Sequence, residues 1–202
     1  MDNQIIHTTE KAWLLPISFA KIQLINKIVL CFSANCIPVL VQQNINGSNI
    51  FKRSWAEYKA GFNNTFGNYW IGNDLLSQLT LSGRYKLRFE LQARNSSWYW
   101  AEYSRFTVLG ESHNYKLQVS GYSGNAGYDA LGYSNGMMFT TYDRDNDPWT
   151  NPDDNGNCAV ALGGGFWYKG CSYCNVNGVR GRRVYFKWHT ILLRTSRMWL
   201  TC

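Results

Sequence analysis

The chain has 202 residues, enough for one large domain or at most two small ones around a real core, and a formal net charge of +7. Nine Trp, thirteen Tyr and eighteen Gly, with few long helical patterns, argue for a loop-rich mixed fold in which aromatic rings fill the interior. Much of the positive charge falls at Arg180, Arg182, Arg183, Lys187, Arg194 and Arg197. No nucleic-acid-binding motif accompanies it, so these residues read as solvated loop and strand faces and no nucleic acid is expected as partner.

The apolar stretch from Trp13 to Cys36 is broken by Lys21, Asn26 and Lys27. Its longest clean run, Ile28 to Ala34, is far short of the roughly 20 residues that a membrane-spanning helix needs, so no membrane span is expected. Residues 1–36 therefore form a divergent N-terminal segment, signal-like in its Lys27 flank and small residues Ser33 and Ala34, or else disordered. A globular texture occupies 37–202. Ser54 is placed to cap a short helix carrying Trp55, Tyr58 and Phe62 on one face, with Gly61 near its end. Asn73 or Asp74 is placed to cap a second helix over Leu75 to Leu79. Tyr85, Leu87, Phe89 and Leu91 alternate with Lys86, Arg88 and Glu90, the period of a strand with one buried face. Ala101 and Tyr103 join Phe106 and Val108 through a one-residue phase slip that predicts a bulge, and Tyr115, Leu117, Val119 restore alternation. Short connections make the three strands an antiparallel sheet. From Gly121 to Gly181 periodicity disappears, and a stretch this long without regular elements predicts a functional region held by staples.

Six cysteines and three Asn-x-Ser/Thr sequons, at Asn46, Asn63 and Asn95, point together to a secreted, extracellular glycoprotein. Cys171-x-x-Cys174 has half the spacing of a zinc site, but no second pair completes it, so a structural disulfide through one of these thiols is expected. Asp143, Asp145 and Asp147 bring three carboxylates to alternate positions of one short loop. Such hard oxygens suit calcium, which takes about six to eight of them at roughly 2.3 to 2.6 Å. The loop is not of the helix-loop-helix kind, because Pro148 and Asp154 stand where that pattern needs Gly and Glu. An acidic turn closed by Pro148 is the plainer alternative. Gly132-Tyr133-Ser134-Asn135-Gly136 matches the spacing of a nucleophile elbow, but its flanks lack the strand-turn-helix frame; no catalytic residue is assigned, and Asp145 and His189 are no triad partners. His7 and His113 read as surface residues.

The order and spacing of a longer set of motifs carry a resemblance. They are Asn46-Gly47-Ser48, Trp55 to Phe62, Tyr69 to Asp74, Gly121-Tyr122-Ser123-Gly124-Asn125-Ala126-Gly127, and Asn135-Gly136 running into the acidic loop. Asn157-Cys158-Ala159, Trp167-Tyr168-Lys169-Gly170-Cys171 and Asn175-Val176-Asn177-Gly178 complete it. From about Val39 to Met198 the chain resembles the fibrinogen C-terminal domain of ficolins, tenascins, angiopoietins and fibrinogen chains. The resemblance implies an α+β fold, an antiparallel sheet with short helices followed by a loop-rich, calcium-binding C-terminal part. It implies calcium held by Asp145 and Asp147 with backbone carbonyls at Trp149 and Asn151, and a Cys158–Cys171 disulfide. It also implies a ligand site of Tyr168, Cys171, Ser172 and Tyr173, and a cis peptide at Gly170–Cys171.

The departures are specific. Pro38 replaces the Trp of the usual first-strand entry, and Cys31 and Cys36 lack the spacing of the family's N-terminal bridge. Pro152, Asp153 and Asp154 lengthen the stretch before Cys158. Acetyl-binding members commonly carry His after the second cysteine and Tyr nine positions before it, where this chain has Ser172 and Leu162. The loop after Asn177-Gly178 is shortened, passing through Val184 to Trp188 almost at once into the last strand, which removes a wall of the acetyl pocket. The expected function is a secreted calcium-binding recognition module, with glycans or acetylated ligands bound as in ficolin-type lectins. The alternative is an extracellular module for protein ligands, of the matrix or receptor-ligand kind, with no sugar pocket. Oligomer formation by copies of the chain is compatible with either.

Overall fold

The computed structural model describes residues 37–152, 155–180 and 186–202; the divergent segment 1–36, with Cys31 and Cys36, lies outside them, as do Asp153, Asp154 and Val184. One antiparallel sheet organises the rest. Its main path runs β2 (Phe62–Asn63), β3 (Tyr69–Trp70), β1 (Val39–Ile45), β11 (Ile191–Thr201), β4 (Lys86–Ala93), β5 (Trp98–Val108) and β6 (Leu117–Gly124). Two short strands, β9 (Cys174–Asn175) and β10 (Lys187–Trp188), extend from β11, and a separate pair joins β7 (Phe139–Thr140) to β8 (Phe166–Trp167). The three expected strands are β4, β5 and β6. The last strand, β11, lies between β1 and β4 in the middle of the sheet, and Lys187 and Trp188 before it form the separate short strand β10.

Two local expectations change. Helix α1 (Trp55–Ala60) starts at Ser54 with a capping box closed by Glu57, but it ends before Phe62. Gly61 turns the chain at φ 90°, where an added Cβ would meet the Ile71 carbonyl at 2.7 Å, and Phe62 joins β2 instead. Helix α2 (Asn73–Thr80) includes both residues expected to cap it. Asn73 accepts from Trp70 Nε1 and Asp74 accepts from the Tyr115 hydroxyl, so their side chains serve tertiary contacts. The phase slip in β5 is real but is no one-strand bulge. Ser104 and Arg105 are both exposed between buried Tyr103 and Phe106, yet the pairing with β6 keeps one register from Tyr103–Tyr122 to Arg105–Ser120. Gly121, opposite Ser104 in that register, takes the positive φ of 74° that glycine tolerates.

The core is built from rings. Tyr58 of α1 packs on Trp70 and Phe139, and Trp167 packs on Trp70 and Phe139, all within 6.3 Å between centroids. The polar ends of these residues are satisfied inside. Tyr58 donates to the Phe51 carbonyl and accepts from Gly165 N, while Trp167 Nε1 donates to the Tyr115 carbonyl at 2.7 Å. The sheet and the loop-built half are thus joined through the same aromatic cluster.

A second join is polar. Gln42 and Asn44 on β1 and Ser196 on β11 are fully buried. Gln42 Nε2 reaches the Val176 carbonyl, Asn177 Oδ1 and Ser196 Oγ at 2.9 to 3.1 Å. Asn44 Nδ2 donates to the carbonyls of Val176 and Gly178. Asn177 Nδ2 in turn donates to the Gly165 carbonyl. Replacing Gln42 with Ala leaves the buried Asn177 Oδ1 without its donor and removes bonds to the Val176 carbonyl and Ser196 Oγ, which keep each other and Asn44 as partners; an expected loss of about 2 to 4 kcal/mol should appear as a lowered urea midpoint. Gln43→Ala, on the opposite face of the same strand, should cost about 1 kcal/mol. Equal losses would refute the network's role.

Candidate ion-binding loop and recognition face

Strand β7 and helix α3 (Cys158–Leu162) hold the acidic loop at its two ends. Asn146 donates from its side chain to the Phe139 carbonyl and from its backbone to Thr140 Oγ1, which pins the loop's middle to the strand. Asn157 donates to the Thr141 carbonyl and accepts from Ala159 N and Val160 N, so the residue that caps α3 also ties it to the loop's start.

The three carboxylates do different work. Asp143 Oδ1 accepts from Trp55 N at 2.9 Å and from Thr141 Oγ1 at 2.7 Å, so it satisfies the first backbone donor of α1 and is spent on structure. Asp145 is exposed and accepts from Asp147 N. Asp147 is half-buried; Oδ1 accepts from Trp149 N and Oδ2 from Cys158 N, the first residue of α3. Burial is the main cause that pushes its pKa up to about 6, with the neighbouring Asp145 charge adding and the two N–H donors opposing. The Asn151 carbonyl accepts from Gly156 N, which folds the following turn back toward the loop. Trp149 is half-buried beside it. Among the described residues no cluster of three or more His, Cys, Asp or Glu side chains is placed to hold a metal ion. Asp145 and Asp147 are two residues apart and joined by the Asp147 N–H donated to Asp145 Oδ1.

Beside the loop, Cys158 and Cys171 form the expected disulfide, with Cα atoms 5.1 Å apart. Cys174 is a buried free thiol, so Cys171-x-x-Cys174 is no zinc half-site, and Cys202, at the chain's end, is disulfide-bonded. The described residues contain no cis peptide bond, which corrects the expectation at Gly170–Cys171; the turn is made instead by Cys171 at φ 49°.

The expected ligand residues separate. Tyr168 is fully buried and its hydroxyl donates to the Gly164 carbonyl, so it belongs to the core and lines no open pocket. The Ser172 hydroxyl is engaged by the Cys174 backbone on both sides, donating to its carbonyl and accepting from its N–H. Leu162 is buried. Tyr173, in contrast, is 40% exposed and lies at the centre of a ring cluster. It packs on Tyr128, Tyr133 and His189 at centroid distances of 4.6 to 5.6 Å. His189 stacks on Tyr128 at 4.1 Å, and Lys169 Nζ lies 5.1 Å from the Tyr133 ring. His189 occupies the tight turn between β10 and β11 at φ 48°, and its N–H donates to the Tyr173 carbonyl, which locks the two rings together. Sequence reasoning left Tyr128, Tyr133 and His189 unassigned; the only signal was the density of Tyr after Gly121. Ser134 of the elbow-like motif is buried in a 3-10 turn, Gly132–Ser134, between β6 and β7, so its hydroxyl is not exposed as that motif requires.

The profile described as fibrinogen beta and gamma chains, C-terminal globular domain, matches residues 32–199. The chain belongs to the fibrinogen C-terminal domain family. Human ficolin-3 is 41% identical over 140 residues, covering 69% of this chain and 45% of that one. The fibrinogen-like globe domain of human ANGPTL2 superposes with a TM-score of 0.71 at 34% identity, covering 81% of this chain and 79% of that one. Lamprey fibrin D-dimer, complexed with the peptide Gly-His-Arg-Pro-amide, superposes with a TM-score of 0.67 at 28% identity, covering 80% of this chain and 60% of that one. The chain spans less than half the length of the curated relatives it matches.

Two consequences of the loop geometry are measurable. Asp143→Ala should lower stability by about 1 kcal/mol in chelator, because a helix N-terminal donor loses its partner. Asp147 has a folded pKa above the ordinary 3.8, so the stability it contributes in ion-free protein is full below that value and is lost as pH rises through about 6. Melting temperature in chelator should therefore fall between about pH 4 and pH 6 relative to Asp147→Asn, which lacks the titration.

Proposed function

We propose that the chain is an extracellular recognition module whose loop-built half is fixed by calcium and whose contact surface is the Tyr173-centred ring cluster. The fibrinogen-type domain, the disulfide and the three exposed sequons at Asn46, Asn63 and Asn95 support an extracellular setting. No described helix is long and apolar enough to cross a membrane.

Calcium fits the loop. A half-buried carboxylate with a neighbouring exposed one is held in an arrangement whose mutual repulsion a cation relieves. Asp145 and Asp147 would be the side-chain ligands, with the Trp149 and Asn151 carbonyls as further oxygens, a set suited to a hard divalent ion. The ion's contribution is structural: it sets the turn that leads from β7 to α3.

A protein or peptide ligand is the reading favoured over an acetylated glycan. The carrying observation is that Tyr168 is buried and the Ser172 hydroxyl is already bonded, whereas Tyr173, Tyr128 and His189 present rings and Lys169 presents a cation at the surface. Aromatic anchors with a cationic rim suit a protein interface. The lamprey fibrin relative, bound to a short peptide, is consistent with this class of ligand.

Calcium titration provides the first test. Melting temperature should rise with calcium, by the equivalent of about 2.7 kcal/mol at 100 times the dissociation constant. Asp145→Ala and Asp147→Ala should lose that rise, Asp143→Ala should keep it on a lower baseline, and the rise should shrink below about pH 6 as Asp147 takes up a proton. An unchanged melting curve in calcium would overturn the ion assignment. For the ligand, retention on acetylated resin with release by free N-acetylglucosamine would favour the glycan reading. Cell-surface binding that survives this sugar and falls at least tenfold in Tyr173→Ala would support the protein reading.

A further inference from the structure

The sheet has a second surface of interest, on the face opposite the core. Arg88, Glu90, Trp98, Trp100 and Arg197 of this face line a shallow cleft of about 360 Å³ there. Register builds it. Gln43, Arg197, Glu90 and Trp100 are successive cross-strand partners on β1, β11, β4 and β5, so one row of side chains crosses the outer face. The polar members hold one another in place. Arg197 Nε donates to Gln43 at 2.7 Å, Arg197 lies 3.8 Å from Glu90, and Trp199 Nε1 donates to Glu90. Arg88 pairs with Glu102 at 3.5 Å and sits 4.8 Å over the Trp100 ring. Each guanidinium that lines the cleft is paired with a carboxylate, Arg197 with Glu90 in the lining and Arg88 with Glu102 outside it, so the cleft offers fixed donors, acceptors and aromatic faces with its cations already paired. That combination suits the hydroxyls and apolar faces of a neutral sugar better than an anion.

Trp98 closes one end. It is 51% exposed and, among the described residues, packs on no other ring. Three residues earlier, in the turn that feeds it, is the sequon Asn95-Ser96-Ser97. The turn is already shaped for modification: Ser96 is at φ 70°, Asn95 is exposed, and its Oδ1 accepts from Ser97 N at 3.1 Å, which leaves Nδ2 directed away from the hydrogen bond.

We propose that an N-linked glycan carried by Asn95 folds back over Trp98 and fills this cleft, its innermost sugar lying on the indole and its hydroxyls meeting the Arg197–Glu90 pair. The inference rests on the extracellular reading, since the modification needs the secretory pathway. In the transfer, the C1–O bond of a lipid-linked oligosaccharide pyrophosphate donor breaks and the Nδ2–C1 bond forms. The amide proton leaves with the lipid pyrophosphate. The glycan then covers the exposed ring and ties the β4–β5 turn to the sheet.

The test uses the full chain secreted from a glycosylating eukaryotic host, with occupancy of each sequon read by mass spectrometry. Ser97→Ala removes the sequon while keeping Asn95 and its turn, and Asn95→Gln serves as a second removal. Either should lower the melting temperature by roughly 2 to 4 °C. In a Trp98→Ala background the same removals should have no effect, and the N-acetyl methyl resonance of the first sugar should sit upfield only when Trp98 is present. Equal losses with and without Trp98, or a methyl resonance at its free-sugar position, would overturn the proposal. So would an empty Asn95 beside occupied Asn46 or Asn63, an outcome that leaves the extracellular reading standing. If all three sites are empty and the chain is retained inside the cell, both readings fall. Uptake of free oligomannose by the Ser97→Ala protein, lost in Trp98→Ala, would instead make the cleft a site for foreign glycans.

Discussion

The constraint on which the rest depends is the burial of two side-chain amides, Gln42 and Asn44, inside the sheet. A core position filled by an amide must return every hydrogen bond it took from water. Here the partners lie more than 130 residues away, in the backbone of Val176 and Gly178 and the side chain of Asn177. The first strand therefore specifies where the Asn175–Gly178 turn sits. That turn fixes the course of the chain leading from the disulfide, and so the ring of Tyr173. A purely apolar pair at these positions would pack but would impose no register on a loop. The polar pair rigidifies a region that has few regular elements of its own.

The same logic explains which parts of the structure were legible from the sequence. Strand β4 announced itself because its buried face is Leu87, Phe89 and Leu91 and its outer face is charged. Strands β1 and β11 did not, because the buried positions Gln42, Asn44 and Ser196 are polar and erase the alternation that identifies a half-buried strand. The order and spacing of motifs pointed to the family, but not to the jobs of individual side chains. Asp143, Asp145 and Asp147 look equivalent at spacing two, yet one is consumed by the N-terminus of α1. Tyr168 looked like a ligand contact, and only three-dimensional packing reveals that its hydroxyl is turned inward to Gly164. His189 carried no pattern at all: its place in the cluster depends on a two-residue turn at which β10 meets β11.

The loop-built half shows how a stretch without periodicity is held. Asn146, Asn157 and Asp147 each bridge a backbone donor or acceptor to another segment, so side chains replace the ladder bonds that strands would supply. The Cys158–Cys171 bridge adds a covalent limit on the unfolded ensemble, on the order of 3 kcal/mol in the chain-entropy account. One carboxylate is left in an environment that resists its charge.

The position of β11 has a consequence for how the domain is made. The strand drawn from the final residues of the described chain lies between β1 and β4, two strands synthesised about a hundred residues or more earlier. While the nascent chain is still emerging, the sheet is two fragments with bare edges: β1 with β2 and β3 on one side, β4 with β5 and β6 on the other. Neither fragment can close over the aromatic core until Ile191 to Thr201 has cleared the ribosome. The domain is therefore committed to late, non-local assembly, and in that interval its open strand edges are surfaces for chaperones or for mispairing with other chains.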